Sequence, residues 1–90
     1  MAWSARFLRT ALVYNVAVLV LFWAVYTRVD FGKHYDSATP VTATGKAYHT
    51  IMTHISGGSN DIIPKTDVAR TLQALHAALA WMQIMLVFAV

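Results

Sequence analysis

The segment with the strongest chemical signal in the chain covers residues 53–66, with the sequence THISGGSNDIIPKT. It sets two adjacent glycines and two serines beside a single carboxylate, Asp61, ahead of a proline. Main-chain carbonyls and small hydroxyl oxygens of such a segment can replace the water around a dehydrated cation. The residue types therefore predict a cation-handling loop if neighbouring elements place it in a membrane, and an ordinary polar turn if they do not.

Two long apolar runs accompany this segment, over residues 10–27 and 71–90, and neither contains Lys, Arg, Asp or Glu. At about 1.5 Å per helical residue they extend about 27 Å and 30 Å, enough to cross a hydrocarbon core of about 30 Å. The chain is 58% hydrophobic and only 12% charged, which also favours a membrane protein over a soluble domain. A cleaved signal peptide is the alternative for the first run, but residues 26–29 (YTRV) lack the small-residue pattern of a cleavage site.

The pattern predicts an all-α membrane protein in which two transmembrane helices are joined by a re-entrant pore helix and a filter loop. Thr42 is expected to cap the pore helix and Gly57 to end it, because these residue types favour those positions. Two helices cannot enclose a pore, so transport requires the assembly of several subunits. The expected organisation of the single pore domain, residues 1–90, has six parts. An interfacial lead at 1–9 precedes an outer transmembrane helix at 10–27 and a loop at 28–40, which is extracellular if both termini are cytoplasmic. A pore helix at 41–54, a filter at 55–61 and an inner transmembrane helix at 71–90 follow.

Residues 47–76 resemble the minimal potassium channels encoded by viruses of unicellular algae. In that family a pore helix leads into THSTVGFGDILPKT, and a histidine follows in the second span. This chain has Thr53 and His54, six further residues and then DIIPKT at 61–66, and His76 lies at the family distance from the proline. The resemblance needs no gap over these thirty residues, and the chain length and the two-span plan also fit it.

The resemblance implies a tetrameric pore made of four identical subunits in a lipid bilayer, either a host plasma membrane or an internal membrane of a virus. It also implies that both termini are cytoplasmic and that the filter faces outward. The Lys and Arg residues lie on both sides of the first span, so the sequence by itself leaves the orientation open.

The filter departs from the family pattern, because SGGSN at 56–60 stands where the family has TVGFG. Ser56 can supply the inner hydroxyl ring, Gly58 keeps the central glycine, and Asn60 is of a type that tolerates a left-handed backbone. Gly57 and Ser59 stand in place of the valine and the aromatic residue that brace the carbonyls in the family. We therefore expect a softer or wider filter with relaxed selectivity.

Residues next to the filter are expected to support it or to shape its mouth. Four copies of Asp61 would form a ring of carboxylates at the outer mouth, which concentrates cations and attracts divalent ions. Thr53 and His54 are expected behind the filter, with His54 hydrogen-bonded to backbone or to a neighbour on the second span. His76 is expected to pack against the pore helix, since polar groups at membrane depth usually face the interior of the bundle. Metal ligation is the alternative for His54, and titration as a gate is the alternative for His76. At Asp61 we expect only a transient permeant cation.

A helical wheel of the second span predicts which residues line the inner cavity. One face carries His76 and, below it, the predicted cavity lining: Ala80, Gln83, Ile84 and Val87. Gln73 extends the same face upward. Dry packing against other helices is the alternative for this face.

These features predict a cation-conducting channel of the potassium-channel pore-loop type that is permissive between K⁺ and Na⁺ and that admits or is blocked by Ca²⁺. The alternatives are a strictly K⁺-selective channel with an altered filter, and a holin-like or accessory membrane protein without a selective pore. No enzyme activity and no cofactor beyond permeant ions are expected, because the four acidic residues are scattered aspartates without a Ser/His/Asp pattern. The net charge of +3 is spread without a basic tract, which does not favour nucleic-acid binding.

Overall fold

A computed structural model describes residues 5–89 of the chain, without the side chains of residues 84 and 86–89. The described part is mainly helical and measures 45 × 21 × 19 Å along its principal axes. Its elements are, in chain order, α1 (Ala5–Thr27), α2 (Phe31–His34), β1 (Tyr35–Asp36), α3 (Ala43–Ser56), β2 (Ile63–Pro64) and α4 (Asp67–Ala89).

The first long helix, α1, is an apolar rod that is mostly free of packing within the chain. It contains no glycine or proline, and it is already helical at Ala5, within the stretch predicted as an interfacial lead. Leu12, Val13 and Val20 are more than half exposed. Among the described residues, α1 is the one helix that is long and apolar enough to cross a membrane. Its 23 residues extend about 35 Å.

The middle helix, α3, begins and ends through the residues that the sequence indicated. The Thr42 hydroxyl accepts a hydrogen bond from the Gly45 amide at 3.1 Å, and Gly57 ends the helix with φ +82°. The helix covers 43–56 instead of 41–54, so Ile55 and Ser56 of the predicted filter are helical. The boundary lies later because the chain leaves the helix only at its first left-handed glycine.

The path of α3 turns back along α1. Near its start, the Lys46 ammonium donates to the carbonyls of Thr27 and Val29 at the C-terminal end of α1, at 3.4 and 3.2 Å. Eight residues later, and about 12 Å along the helix, His54 contacts Asn15 at the middle of α1. The chain then returns to the level at which α3 began, because β2 pairs antiparallel with β1.

The segment at 28–40, predicted as an exposed loop, contributes two aromatic residues to the core. Phe31 and Tyr35 are 4% and 2% exposed, and their rings stack at a centroid distance of 4.3 Å. Both rings meet the fully buried His49 edge-on, at 5.4 and 5.0 Å. The prediction of an exposed loop was wrong for these two residues, because the polar, turn-rich composition of the segment gives no indication that they contact α3. Burial raises the pKa of Tyr35 to about 12, so its phenol is neutral.

The last helix, α4, starts at Asp67, four residues before the predicted start of the inner transmembrane helix at residue 71. The Thr66 hydroxyl accepts from the Ala69 amide at 3.2 Å, and Asp67 lies in the first turn, where a carboxylate stabilises the helix dipole. Against α1, the ring of His76 stacks on Phe22 at 4.4 Å with an interplanar angle of 4°. This contact joins the two long helices at the depth at which α3 ends.

Candidate functional site

The C-terminal turn of α3 lies where α1, α3 and α4 meet. Thr53 is fully buried, and its carbonyl accepts the Gly57 amide at 3.0 Å. The ring of His54 contacts α4 through its Nδ1, 3.2 Å from the Nε2 of His76, and α1 through its Nε2, 2.8 Å from the Oδ1 of Asn15. The prediction that His54 bonds to a second-span neighbour and that His76 packs against the pore helix agrees with this geometry.

Two further contacts extend this row of polar groups. The Tyr26 hydroxyl lies 3.2 Å from the Nδ1 of His76, and the Asn15 amide donates to the Oε1 of Gln83. The contacts therefore run from α1 to α4, to α3, back to α1 and again to α4. Tyr26 and His76 are buried and Asn15, His54 and Gln83 are half-buried, so each contact offsets part of the cost of removing polar groups from water.

The glycines that follow α3 have backbone conformations that other residues rarely adopt. Gly57 and Gly58 have φ values of +82° and +147°. The side-chain amide of Gln73 donates to the Gly57 carbonyl at 2.9 Å. A Cβ atom on Gly58 would lie 2.5 Å from that amide nitrogen, so the backbone approaches α4 as closely as only glycine allows.

Gln73 was missed as a filter residue, because the helical wheel placed it on a cavity-lining face. In the structure its amide lies against the Gly57 carbonyl and close to Gly58. A Cβ atom on Gly57 would meet nothing within 4 Å, so the space at that position is open. The side chain of Gln73 fills part of the space beside Gly58.

Ser56 and Asn60, at the two ends of the predicted filter, differ from their expected roles. The Ser56 hydroxyl lies 2.9 Å from the carbonyls of both Met52 and Gly58, so its single proton is engaged inside the subunit. Asn60 is not left-handed, since among the described residues only glycines have positive φ. The sequence could not indicate this, because tolerance of a conformation does not require it.

Ser59 and Asp61 lie beside an aromatic residue of α3. The Tyr48 hydroxyl donates to a carboxylate oxygen of Asp61 at 3.2 Å, and the Ser59 hydroxyl oxygen is shielded from solvent. The hydrogen bond to Asp61 raises the pKa of the exposed Tyr48 phenol. The carboxylate of Asp61 remains exposed at the surface.

An open groove of about 730 Å³ adjoins Asp61. Asp36 also lines it but is paired with Lys65 at 3.8 Å, so Asp61 is the carboxylate of the groove without a cationic partner among the described residues. Several hydroxyl and amide groups complete the wall, contributed by Ser37, Thr39, Thr42, Tyr48 and Asn60. The described residues contain no group of three or more His, Cys, Asp or Glu side chains that could hold a metal ion.

The predicted lining of the inner cavity is wrong for the residues that the structure describes. Ala80 is only 2% exposed, and Gln83 is hydrogen-bonded to Asn15, so this face of α4 packs against α1. The side chains of Ile84 and Val87 lie outside the described residues. Asn15 on α1 could have indicated which face of α4 packs against α1, since polar side chains at membrane depth usually face the interior of the bundle and pair with one another.

The opposite face of α4 is the exposed one. Its exposed members within the described part are Thr71, Ala74, Leu75, Ala78, Trp81, Met82 and Met85.

Comparisons with protein-family models, with curated proteins and with solved structures found no significant match to this chain. The function must therefore be argued from the chain's own geometry and from the resemblance of residues 47–76.

Proposed function

We propose that this protein is a cation channel of the potassium-channel pore-loop type, in which four copies of residues 57–61 surround one ion path. The observation that carries the proposal is the path of α3. It starts beside the end of α1, runs back to Asn15 at the middle of α1, and is followed by a glycine loop that returns to β2. A helix that penetrates halfway and ends in half-exposed glycine backbone suits ion passage, because the loop carbonyls can take the place of water.

The surface of the two long helices supports a membrane location. α1 exposes large apolar side chains along most of its length, and α4 exposes Leu75, Trp81 and Met85 at 52, 58 and 67%. Such surfaces favour lipid or neighbouring helices over water. The long dimension of 45 Å agrees with a bilayer of about 40–45 Å including headgroups. We assign α4 as the second span because residues 71–90 are free of charge.

Assembly around the loop explains surfaces that one subunit leaves uncovered. Ile51 and Ile55 on α3 are 50% and 67% exposed, although the same helix is closely packed on its other side. Four subunits would cover these side chains and bring the exposed face of α4 against the same helix of neighbouring subunits around the axis. Ala74 and Ala78 on that face are small enough to leave space, so they replace Ala80 and Gln83 as the proposed cavity lining.

The loop geometry supports relaxed selectivity. The Gly57 carbonyl accepts a bond from Gln73 and would have to exchange that bond for an ion, while the space beside Gly57 is empty. A carbonyl that is free to move discriminates weakly between ions of similar size, if selectivity depends on cavity rigidity. Asp61 would attract Ca²⁺ to the mouth. The close approach of Gln73 to Gly58 favours the second candidate, a strictly K⁺-selective channel, because it limits movement of the loop.

Recording of single channels from the purified protein in planar bilayers tests the proposal. We expect discrete unitary currents and bi-ionic reversal potentials that favour cations over anions, with K⁺ and Na⁺ differing by less than about tenfold. A K⁺ preference of a hundredfold would favour the strict filter. Large ungraded leaks would identify a holin-like permeabiliser, and absence of any current from a stable tetramer would contradict the channel.

A further inference from the structure

The row of polar side chains at the centre of the bundle has a direction that can be derived atom by atom. The Asn15 amide decides it, because one atom of that group lies 2.8 Å from the carbonyl oxygen of Ala11. A main-chain carbonyl can only accept, so the atom that faces it is the nitrogen. The Oδ1 of Asn15 therefore faces His54, and the second N–H of the same amide points to the Oε1 of Gln83.

The orientation of Asn15 fixes the tautomers of both histidines. An amide oxygen can only accept, so the proton lies on the Nε2 of His54, and its Nδ1 carries none in the neutral ring. That Nδ1 must then accept from the Nε2–H of His76 at 3.2 Å. The Nδ1 of His76 is left as an acceptor, and the hydroxyl of Tyr26 donates to it at 3.2 Å. Four hydrogen bonds thus run one way, from Tyr26 to Gln83.

We propose that these five side chains are a one-way hydrogen-bond relay that positions the end of α3, and with it the filter glycines, and that Asn15 is the positioning residue that sets its direction. The role in the filter rests on the proposed channel function, whereas the direction of the relay does not. The four bonds join α1 to α4, α4 to α3, α3 to α1, and α1 to α4 a second time. A shift of α1 against α4 at Gln83 is therefore transmitted to His54, which lies three residues before Gly57.

The relay needs both imidazole rings to be neutral. All four ring nitrogens are engaged, so an added proton must break or reverse at least one of the bonds and end the single direction of the row. The titratable groups that face the pair are Tyr26 from α1 and His49 from α3. α1 carries no charged residue over 10–27 and α4 none over 71–90, and Lys46 is the charged residue of α3, eight positions before His54. No carboxylate in these segments is placed to hold an imidazolium.

The direction is tested by ¹⁵N NMR of the imidazole rings in the full-length protein in bilayers at neutral pH. We expect His54 and His76 both to carry their proton on Nε2 and to have a bare Nδ1. A proton on the Nδ1 of either ring, or an imidazolium, would overturn the relay. This readout needs no ion current, so it remains decisive if the channel function fails.

The role of Asn15 is tested by Asn15→Asp, which keeps an acceptor for His54, removes the N–H that reaches Gln83 and supplies a counter-ion for an imidazolium. We expect the wild-type current to be constant between about pH 8 and pH 6, and the Asn15→Asp current to fall about tenfold over that range, since a carboxylate raises the proton affinity of a nearby histidine. Asn15→Leu should lower the current equally at all pH values. The matched control is His34→Gln, outside the relay, which should follow the wild type. Identical pH profiles for Asn15→Asp and the wild type would overturn the positioning role.

Discussion

The end of α3 and the loop that follows it are adjacent in sequence but differ in how they are held. At His54 and His76, every ring nitrogen has a partner, and one ring is stacked on Phe22. At Gly57, only a few residues further on, the carbonyl has a single side-chain partner, Gln73, and the space beside the glycine is open. The support, meaning the end of α3 with the side chains around His54 and His76, is thus held firmly, whereas the loop at 57–61 that follows it is held weakly. Of the support, His54 and His76 lie within residues 47–76, the stretch that resembles the viral channel family, and SGGSN at 56–60 is the part of that stretch that departs from the family pattern.

This difference separates two kinds of substitution. Changes in the support should cost folding stability, because they leave buried polar groups without partners. Changes in the loop should cost little stability and alter ion flow, since the loop makes few packing contacts. Substitutions in each region test whether stability and ion flow separate in this way.

The largest effect on stability is expected for His76→Ala. The substitution removes a fully buried ring that stacks on Phe22, and it removes the hydrogen-bond contacts of that ring with the Tyr26 hydroxyl and with the Nδ1 of His54. Loss of a buried ring costs about 3–5 kcal/mol in a well-packed core. Thermal denaturation of the detergent-solubilised protein should show a large drop in the midpoint, whereas the partly buried His34→Ala should show a small one. Similar midpoints for both variants would mean that the support is not tightly packed.

The next effect is on ion flow, for Gly58→Ala. Its Cβ would approach the Gln73 amide to 2.5 Å at a φ of +147°, a conformation that costs non-glycine residues about 1–3 kcal/mol. We expect the loop to move away from α4 and the unitary current to be lost, with a smaller drop in the thermal midpoint than for His76→Ala. The matched control is Gly32→Ala, whose Cβ would meet its nearest atom at an ordinary 3.4 Å. A normal current from Gly58→Ala would show that the loop backbone differs from the one described.

A smaller effect on selectivity is expected for Gln73→Leu. The change keeps the side-chain bulk behind Gly58 but removes the hydrogen bond to the Gly57 carbonyl. We expect the ratio of K⁺ to Na⁺ permeability, from bi-ionic reversal potentials, to shift by a few-fold, about 1 kcal/mol or less. An unchanged ratio would mean that Gln73 does not brace the filter. Replacing Gly57 by Val to restore the family pattern is strained at φ +82° and should not by itself recover selectivity.

The smallest effect is expected at the mouth, where Asp61→Asn should lower the unitary conductance mainly at low ionic strength. A carboxylate exposed to solvent is screened over about 10 Å at 0.1 M salt, so its attraction for cations fades as salt is added. Tyr48→Phe is the matched control, because it removes the hydrogen bond to Asp61 and keeps the charge. Equal conductance of Asp61→Asn and the wild type at low salt would assign Asp61 a purely structural role.

The sequence predicted the parts of the fold that depend on local chemistry. The apolar runs indicated α1 and α4, Thr42 and Gly57 indicated the limits of α3, and the polar character of His54 placed it inside the bundle. The exposed and the packed face of α4 were predicted the wrong way round, because a helical wheel of a helix that is apolar on all sides does not show which face packs inside the chain. Asn15 indicates that face, but only once it is paired with Gln83 across the bundle.

The loop was the least predictable part for a physical reason. The backbone path after Gly57 depends on contacts of the loop with Gln73 and Tyr48. Both residues are distant in sequence from the loop residues that they contact. The residue types at 56–60 allow several paths, and those contacts select one. The burial of Phe31 and Tyr35 has the same origin, since it depends on the distant His49.

The central claim, that four loops surround one ion path, is tested most directly by co-expressing wild-type and Asp61→Asn subunits and recording single channels at low salt. A tetramer with zero to four altered subunits gives five compositions, so we expect five unitary conductance classes whose frequencies follow the mixing ratio. Only the two parental conductances, at any mixing ratio, would show that each path is formed by a single chain and would contradict the account.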